Sequence, residues 1–288
     1  MPRASTRGSA GGHIWPNGRG YRGLASEASL VLIAVGGQDV RIGSTRVRRA
    51  LEWVYAHHDE LAIRVVNVSL GVRADTPDDA TRIDALVALL VAAGVSVVVA
   101  AGHDGERTLA IPALSPAAIT VGGRDDRNVL DHAVSAVWHS NYDGTDDGYG
   151  KPELVAPSLW VVAPIIPTSG LAREAVLLFA RRAAYDATVE PRLGHARLVT
   201  PFYQHVEGTS FASPIVSSVI ACMLEACPSL AASHVRSMLQ GTCQRVAGAS
   251  IARQGAGAID AGRAVTAALV FQRGEWTPSA LPYDRLGE

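Results

Sequence analysis

Cysteine is scarce in this sequence: Cys222, Cys227 and Cys243 are the only thiols in 288 residues. An odd set cannot close wholly into bridges within the chain, and none stands at a metal-ligand spacing. Neither a disulfide framework nor a zinc site organises the protein. Charge is also thin. Charged residues make up 18% of the chain with a formal net charge of −1, which excludes the basic surface a nucleic-acid partner needs. Against that, 48% of the residues are apolar, which excludes a disordered chain. The opening residues, Met1 to Gly12, lack the apolar centre of a secretory leader. Ala85 to Gly102 is nearly all apolar, but Gly94 divides it. Ile83, Leu86, Val87 and Leu90 keep helical spacing before that glycine, and Val95, Val97, Val98 and Val99 form a β-branched run after it. A helix followed by a buried strand is expected there, with no membrane partner. Composition assigns no cellular compartment.

What is present alternates. Ser29–Val35 and Val65–Leu70 read as buried strands, and Thr45–His57 between them as a helix showing Val47, Leu51, Val54 and Tyr55 on one face. Thr76-Pro77-Asp78-Asp79 has a capping Thr, Pro at the first helical position and acids facing the positive dipole end, so a helix begins there. Strands from Val95 and over Ala118–Gly122 follow. This β-α-β-α-β order predicts an α/β fold with a mainly parallel sheet and helices on both faces. Ligands in such sheets bind beyond the strands' carboxyl ends, here Ser69-Leu70-Gly71 and Ala100-Ala101-Gly102. After Pro157 the rhythm lapses. Arg173–Ala184 reads as a helix, Glu190–Gln204 has no clear period, and the stretch is expected to be an excursion from one domain. Residues 274–288 are expected to be an irregular tail.

The sharpest chemical signal is Gly208-Thr209-Ser210-Phe211-Ala212-Ser213-Pro214, ahead of the apolar run Ile215–Leu224. It places a hydroxyl at the first turn of a buried helix, where unpaired N–H groups and the dipole favour a developing oxyanion. Read as residues alone, an ordinary Thr/Ser cap is the better explanation. The whole run resembles the nucleophile motif of the subtilisin-like serine proteases, with Ser218 where that family has Ala or Gly. Four other segments resemble the family in the same order: Val66-Asn67-Val68-Ser69-Leu70-Gly71, Val99-Ala100-Ala101-Gly102, Lys151 to Pro157 (followed by Ser158 in place of Gly), and Gly255 to Ala261.

The resemblance implies a serine endopeptidase that hydrolyses peptide bonds through an acyl-enzyme on Ser210 and uses no cofactor. It implies a peptide or protein substrate held by Ser69, Leu70 and Gly71, with Ala100, Ala101, Gly102 and Thr209 also facing it. Two departures bear on activity. The family's oxyanion Asn is replaced by His103, whose imidazole can also donate. The His-Gly-Thr segment that carries the general base should fall near Met1 to Ala4 and does not occur, although Ala4 to Gly12 keeps the small-residue texture of its helix. The Asp-bearing first strand would lie further upstream. Residues 1–273 are therefore expected to form a peptidase domain missing its first strand and base-bearing segment, with little or no activity as an isolated chain. A non-catalytic peptide-binding relative is the alternative. A nucleotide-binding protein or another hydrolase lacks support, because no phosphate loop, dinucleotide fingerprint or Gly-x-Ser-x-Gly elbow occurs in a strand-to-helix context. His13, His205 and Asp39 are read as loop, structural and turn residues. The His57-His58 pair lacks a metal partner, and Asp143, Asp146 and Asp147 lack the spacing of an EF-hand.

Overall fold

Residues 4–9, 22–36, 42–129, 135–142 and 150–275 are described by the computed structural model. In chain order, β1 (Ala4–Ser9) and β2 (Ser29–Ile33) form an antiparallel pair. Then come α1 (Ser44–His57), β3 (Val65–Val68), α2 (Pro77–Ala92), β4 (Ser96–Ala100) and β5 (Ile119–Asp125). β6 (Ala136–Val137) and β7 (Leu154–Pro157) complete the main sheet. β3, β4, β5 and β7 are parallel to their neighbours, and β6 alone pairs antiparallel, on β5. The expected mainly parallel sheet is therefore what forms.

Both faces of the sheet are covered, which is why β4 is buried at every position. Val97 and Val99 face α1 and α2, packing with Val47, Leu51, Ile83 and Leu90. Val98 faces the opposite way, into α5 (Thr209–Ala226), α6 (Ala232–Thr242) and α8 (Ala261–Gln272), where Val216, Ile220, Met223 and Val235 meet it. α5 is long and apolar enough to cross a membrane by composition, but its inner stripe is core. Each fully buried Val, Ile or Met contributes roughly 1.5–3 kcal/mol, so this stripe fixes where the start of α5 lies. Tyr55, expected on the buried face of α1, is instead exposed.

Two capping clusters set the helix ends. Thr76 Oγ1 accepts the Asp79 N–H at 3.2 Å, so α2 starts as the Thr-Pro-Asp-Asp pattern predicts. Asp79 then reaches α1: it accepts from Ser44 Oγ at 2.9 Å, Thr45 Oγ1 at 3.0 Å and Arg48 Nε at 2.8 Å. The Arg48 guanidinium, more than the hydroxyls, holds the Asp79 carboxyl below its ordinary range against the opposing effect of burial.

Two expectations change. The segment with helix-like texture contributes Ala4–Ser9 to a strand: Ser, Thr and Gly are weak helix formers, and the β2 edge supplies ladder partners. Glu190–Gln204 is not irregular throughout. The excursion after β7 holds β8 (Val161–Pro164), α3 (Gly170–Ala183), the short α4 (Glu190–His195), β9 (Leu198–Thr200) and β10 (Tyr203–Val206), with β8, β10 and β9 in one antiparallel sheet. It has its own small core of Leu178, Val189 and Leu193. Pro214 lies in the second turn of α5. α7 (Ile251–Gln254) precedes α8, whose first turn is capped by Asp260 accepting the Arg263 N–H. All three cysteines are free thiols.

Candidate active site

Pro214 has no N–H, so the Ser210 carbonyl four residues earlier loses its helical donor. Ser69, just beyond the end of β3, supplies one: its Oγ donates to the Ser210 carbonyl at 2.9 Å. In return the half-buried Ser210 Oγ donates to the Ser69 carbonyl at 3.3 Å. Asn67 Nδ2 and the buried Ser213 hydroxyl both reach Ser69 Oγ, at 2.8 Å and 3.0 Å. Neither Asn67 nor Ser213 was singled out in the sequence as a site residue, though both sit inside the quoted motifs.

The neighbouring residue performs the same service for β4. Thr209 Oγ1 accepts the Gly102 N–H at 3.0 Å and donates to the Gly102 carbonyl at 3.3 Å. The first turn of α5 is thus tied to the carboxyl ends of two adjacent parallel strands, where the sheet rule directs a ligand. Gly208 enters this turn at φ 130°, a conformation open to glycine. Gly102 has φ 99°, and a Cβ there would come within 2.7 Å of the Asn141 amide. Ala100 and Ala101 are buried, Leu70 is half-buried and Gly71 is exposed. Beyond them Val72 and Ile111 exchange antiparallel hydrogen bonds of 2.9 and 3.1 Å, which fixes the far end of the 69–71 segment.

His103 projects from the loop after Gly102. Its side chain is exposed and its ring lies 6.4 Å from that of Trp138. The loop is pinned by Asn141: Oδ1 accepts the Asp104 N–H at 2.8 Å, and Nδ2 donates to Asp104 Oδ2 at 3.0 Å. Asn141 was invisible in the sequence because its partners lie 37 residues away.

The Lys151–Pro157 segment holds the base of the sheet rather than the reacting end. Lys151, wholly buried, donates to Glu153 Oε1 at 2.6 Å and to the Ala118 carbonyl at 2.7 Å. Glu153 also accepts the Thr120 N–H at 2.6 Å and pairs with Arg236 of α6. His205 sits on β10, its Nδ1 2.8 Å from the Trp160 carbonyl. His57 and His58 each engage a backbone carbonyl of α1 through Nδ1. His13, Asp39, Asp143, Asp146 and Asp147 lie outside the described residues. Among the described residues no group of three or more His, Cys, Asp or Glu could hold a metal ion.

Residues 8–257 match the subtilase family. Over 254 residues the chain is 27% identical to the serine protease AprX of Bacillus subtilis, covering 85% of this chain and 53% of that protein. Mycosin-1 of Mycobacterium tuberculosis is 27% identical over 221 residues, covering 76% and 47%. The chain therefore spans about half the length of these relatives. Among solved structures, fervidolysin from Fervidobacterium pennivorans, a keratinolytic enzyme related to subtilisin, aligns with a TM-score of 0.60. It is 22% identical and covers 86% of this chain and 34% of that one. The patellamide maturation protease PatA aligns at 0.55 with 23% identity, covering 81% and 70%. At such identities the structural likeness shows a shared fold.

Proposed function

Because this chain belongs to the subtilase family, we propose that residues 1–273 form a serine endopeptidase domain in which Ser210 is the nucleophile. One observation carries this reading: the Ser210 hydroxyl lies at the first turn of a core helix, hydrogen-bonded to the end of β3. A peptide laid along Ser69–Gly71 would bring its carbonyl to that hydroxyl. The Ser210 N–H and the His103 imidazole would then receive the oxyanion, with Ala100, Ala101, Gly102 and Thr209 bounding the cleft. Peptides or proteins are the substrate class.

The described residues supply Ser210 with no general base. Among the described residues no histidine nitrogen bonds the Ser210 hydroxyl, whose partner is the Ser69 carbonyl. A serine hydroxyl without a base stays un-ionised at neutral pH. These 288 residues on their own are therefore proposed to turn over peptide substrate little or not at all. The same observation favours a second reading, a relative that holds peptides in the cleft without cutting them. A fluorophosphonate probe separates the outcomes. Labelling of the purified chain is expected to match that of Ser210→Ala, and robust labelling of Ser210 would overturn the proposed inactivity. Fluorescent extended peptides should bind in both proteins and lose affinity in Gly71→Pro, which blocks the strand edge. Failure of every peptide to bind would sink both readings.

A further inference from the structure

The excursion meets the cleft through a cluster that the reading above leaves without a role. Trp160, just before β8, and Arg197, just before β9, both have left-handed backbones, at φ 56° and 51°. Such conformations are uncommon for large side chains and persist where surrounding contacts impose them. Here the two residues hold each other: the Arg197 guanidinium carbon lies 4.8 Å from the centre of the Trp160 ring. His205 of β10 sets its ring edge-on to the indole at 5.5 Å, and its Nδ1–H donates to the Trp160 carbonyl at 2.8 Å. The His205 N–H donates to the Arg197 carbonyl at 2.9 Å, and Arg197 Nη1 donates to Glu207 Oε2 at 2.8 Å. Trp160 is therefore held from several directions, yet it stays 40% exposed. An aromatic side chain fixed in advance and left wet gains apolar contact, with little further loss of rotamer freedom, when a ligand covers it.

The cluster stands beside the turn that carries Ser210. Ser158, two residues before Trp160, accepts the Gly208 N–H, and Glu207 directly precedes Gly208. The main sheet runs β3, β4, β5, β7. The head of α5 follows that order in reverse, from Gly208 at the residue after β7, through Thr209 beyond β4, to Ser210 beyond β3. A peptide whose acyl half lies along Ser69–Gly71 occupies the β3 side. Its leaving half departs from the other side of Ser210, toward Glu207 and Trp160.

The charges on the platform select what it can take. A cationic side chain laid on the indole meets Arg197, and an acidic one meets Glu207, so each finds a like charge. A neutral aromatic ring stacks on the indole without either penalty. Resting on the assignment of Ser210 and its cleft given above, we propose that Trp160 is a specificity determinant that takes an aromatic side chain from the leaving half of the peptide. Arg197 and His205 are its supports.

The test measures dissociation constants by fluorescence anisotropy on the whole purified chain. One labelled peptide covers the acyl half alone and is capped at both ends. The others extend it by a few residues on the leaving side, with one position in turn Phe, Gly, Asp or Lys. A Phe extension is expected to bind about tenfold tighter than the acyl half alone, and Gly, Asp and Lys extensions to gain little. The ratio of the Phe extension to the acyl half should fall to about one in Trp160→Gly, since glycine adopts that backbone without strain while removing the ring. Arg197→Gly, which leaves the indole unsupported, should reduce the same ratio, and either variant suffices if the other fails to fold. An acyl half that binds with no gain from Phe at any position would overturn this proposal and leave the cleft assignment standing. A Phe gain undiminished in Trp160→Gly would overturn it too, as would a larger gain from Asp or Lys than from Phe. Failure of the acyl half and of every extended peptide to bind would overturn the cleft assignment and this proposal together.

Discussion

A proline in the second turn of a helix leaves one carbonyl without a donor, and in α5 that carbonyl belongs to Ser210. Ser69 answers it from across the sheet, so the backbone of the proposed nucleophile is held by a tertiary contact where an ordinary helix would use its own N–H. Ser69→Ala removes this donor from a half-buried acceptor. The expected loss is about 1 kcal/mol, read as a lower urea midpoint at an unchanged slope; a midpoint equal to that of the parent protein would refute it. The start of α5 was legible because its signals are local: Gly, Thr, Ser and Pro each act within one turn. Ser213 and Asn141 were not, since their partners lie 144 and 37 residues away, and nothing in a linear pattern marks such pairs. His103 was legible as a substitution, and its exposed position against Trp138 is something the sequence could not give.

Between elements, the most concentrated contact is the one by which Asp79 of α2 grips the first turn of α1. Its carboxyl is held low chiefly by Arg48. A depressed carboxylate stabilises the fold above its unfolded pKa of about 3.9, and that contribution is lost as pH falls through the lower folded value. Asp79→Asn should therefore be less stable than the parent at pH 7, and the gap should narrow below about pH 4. Thermal unfolding at pH 7 and pH 3 checks this, and a gap that does not narrow would refute it. The helices flanking the sheet were readable because each carries a cap or a clear apolar stripe, as Thr76-Pro77 and Val47-Leu51-Val54 do. β9 and β10 were not: strands of three and four residues beside Pro201 are too short to show alternation. β1 was misread because its pairing depends on β2, some twenty residues on, rather than on its own composition.

For the molecule as a whole, the excursion after β7 stands apart from the main core. It departs from Ser158 and returns at Gly208, and the Gly208 N–H donates to the Ser158 carbonyl at 2.8 Å. Its small core of Leu178, Val189 and Leu193 is separate from the cluster around α5. Replacing residues 161–206 with a short Gly-rich turn should preserve a single cooperative unfolding transition, with the Tm shifted by a few degrees at most. Loss of that transition in calorimetry would show that the excursion is structural. A closed junction of this kind works like a graft point: what is hung from it can be lengthened, trimmed or exchanged while Ser210 downstream keeps its station at the head of α5.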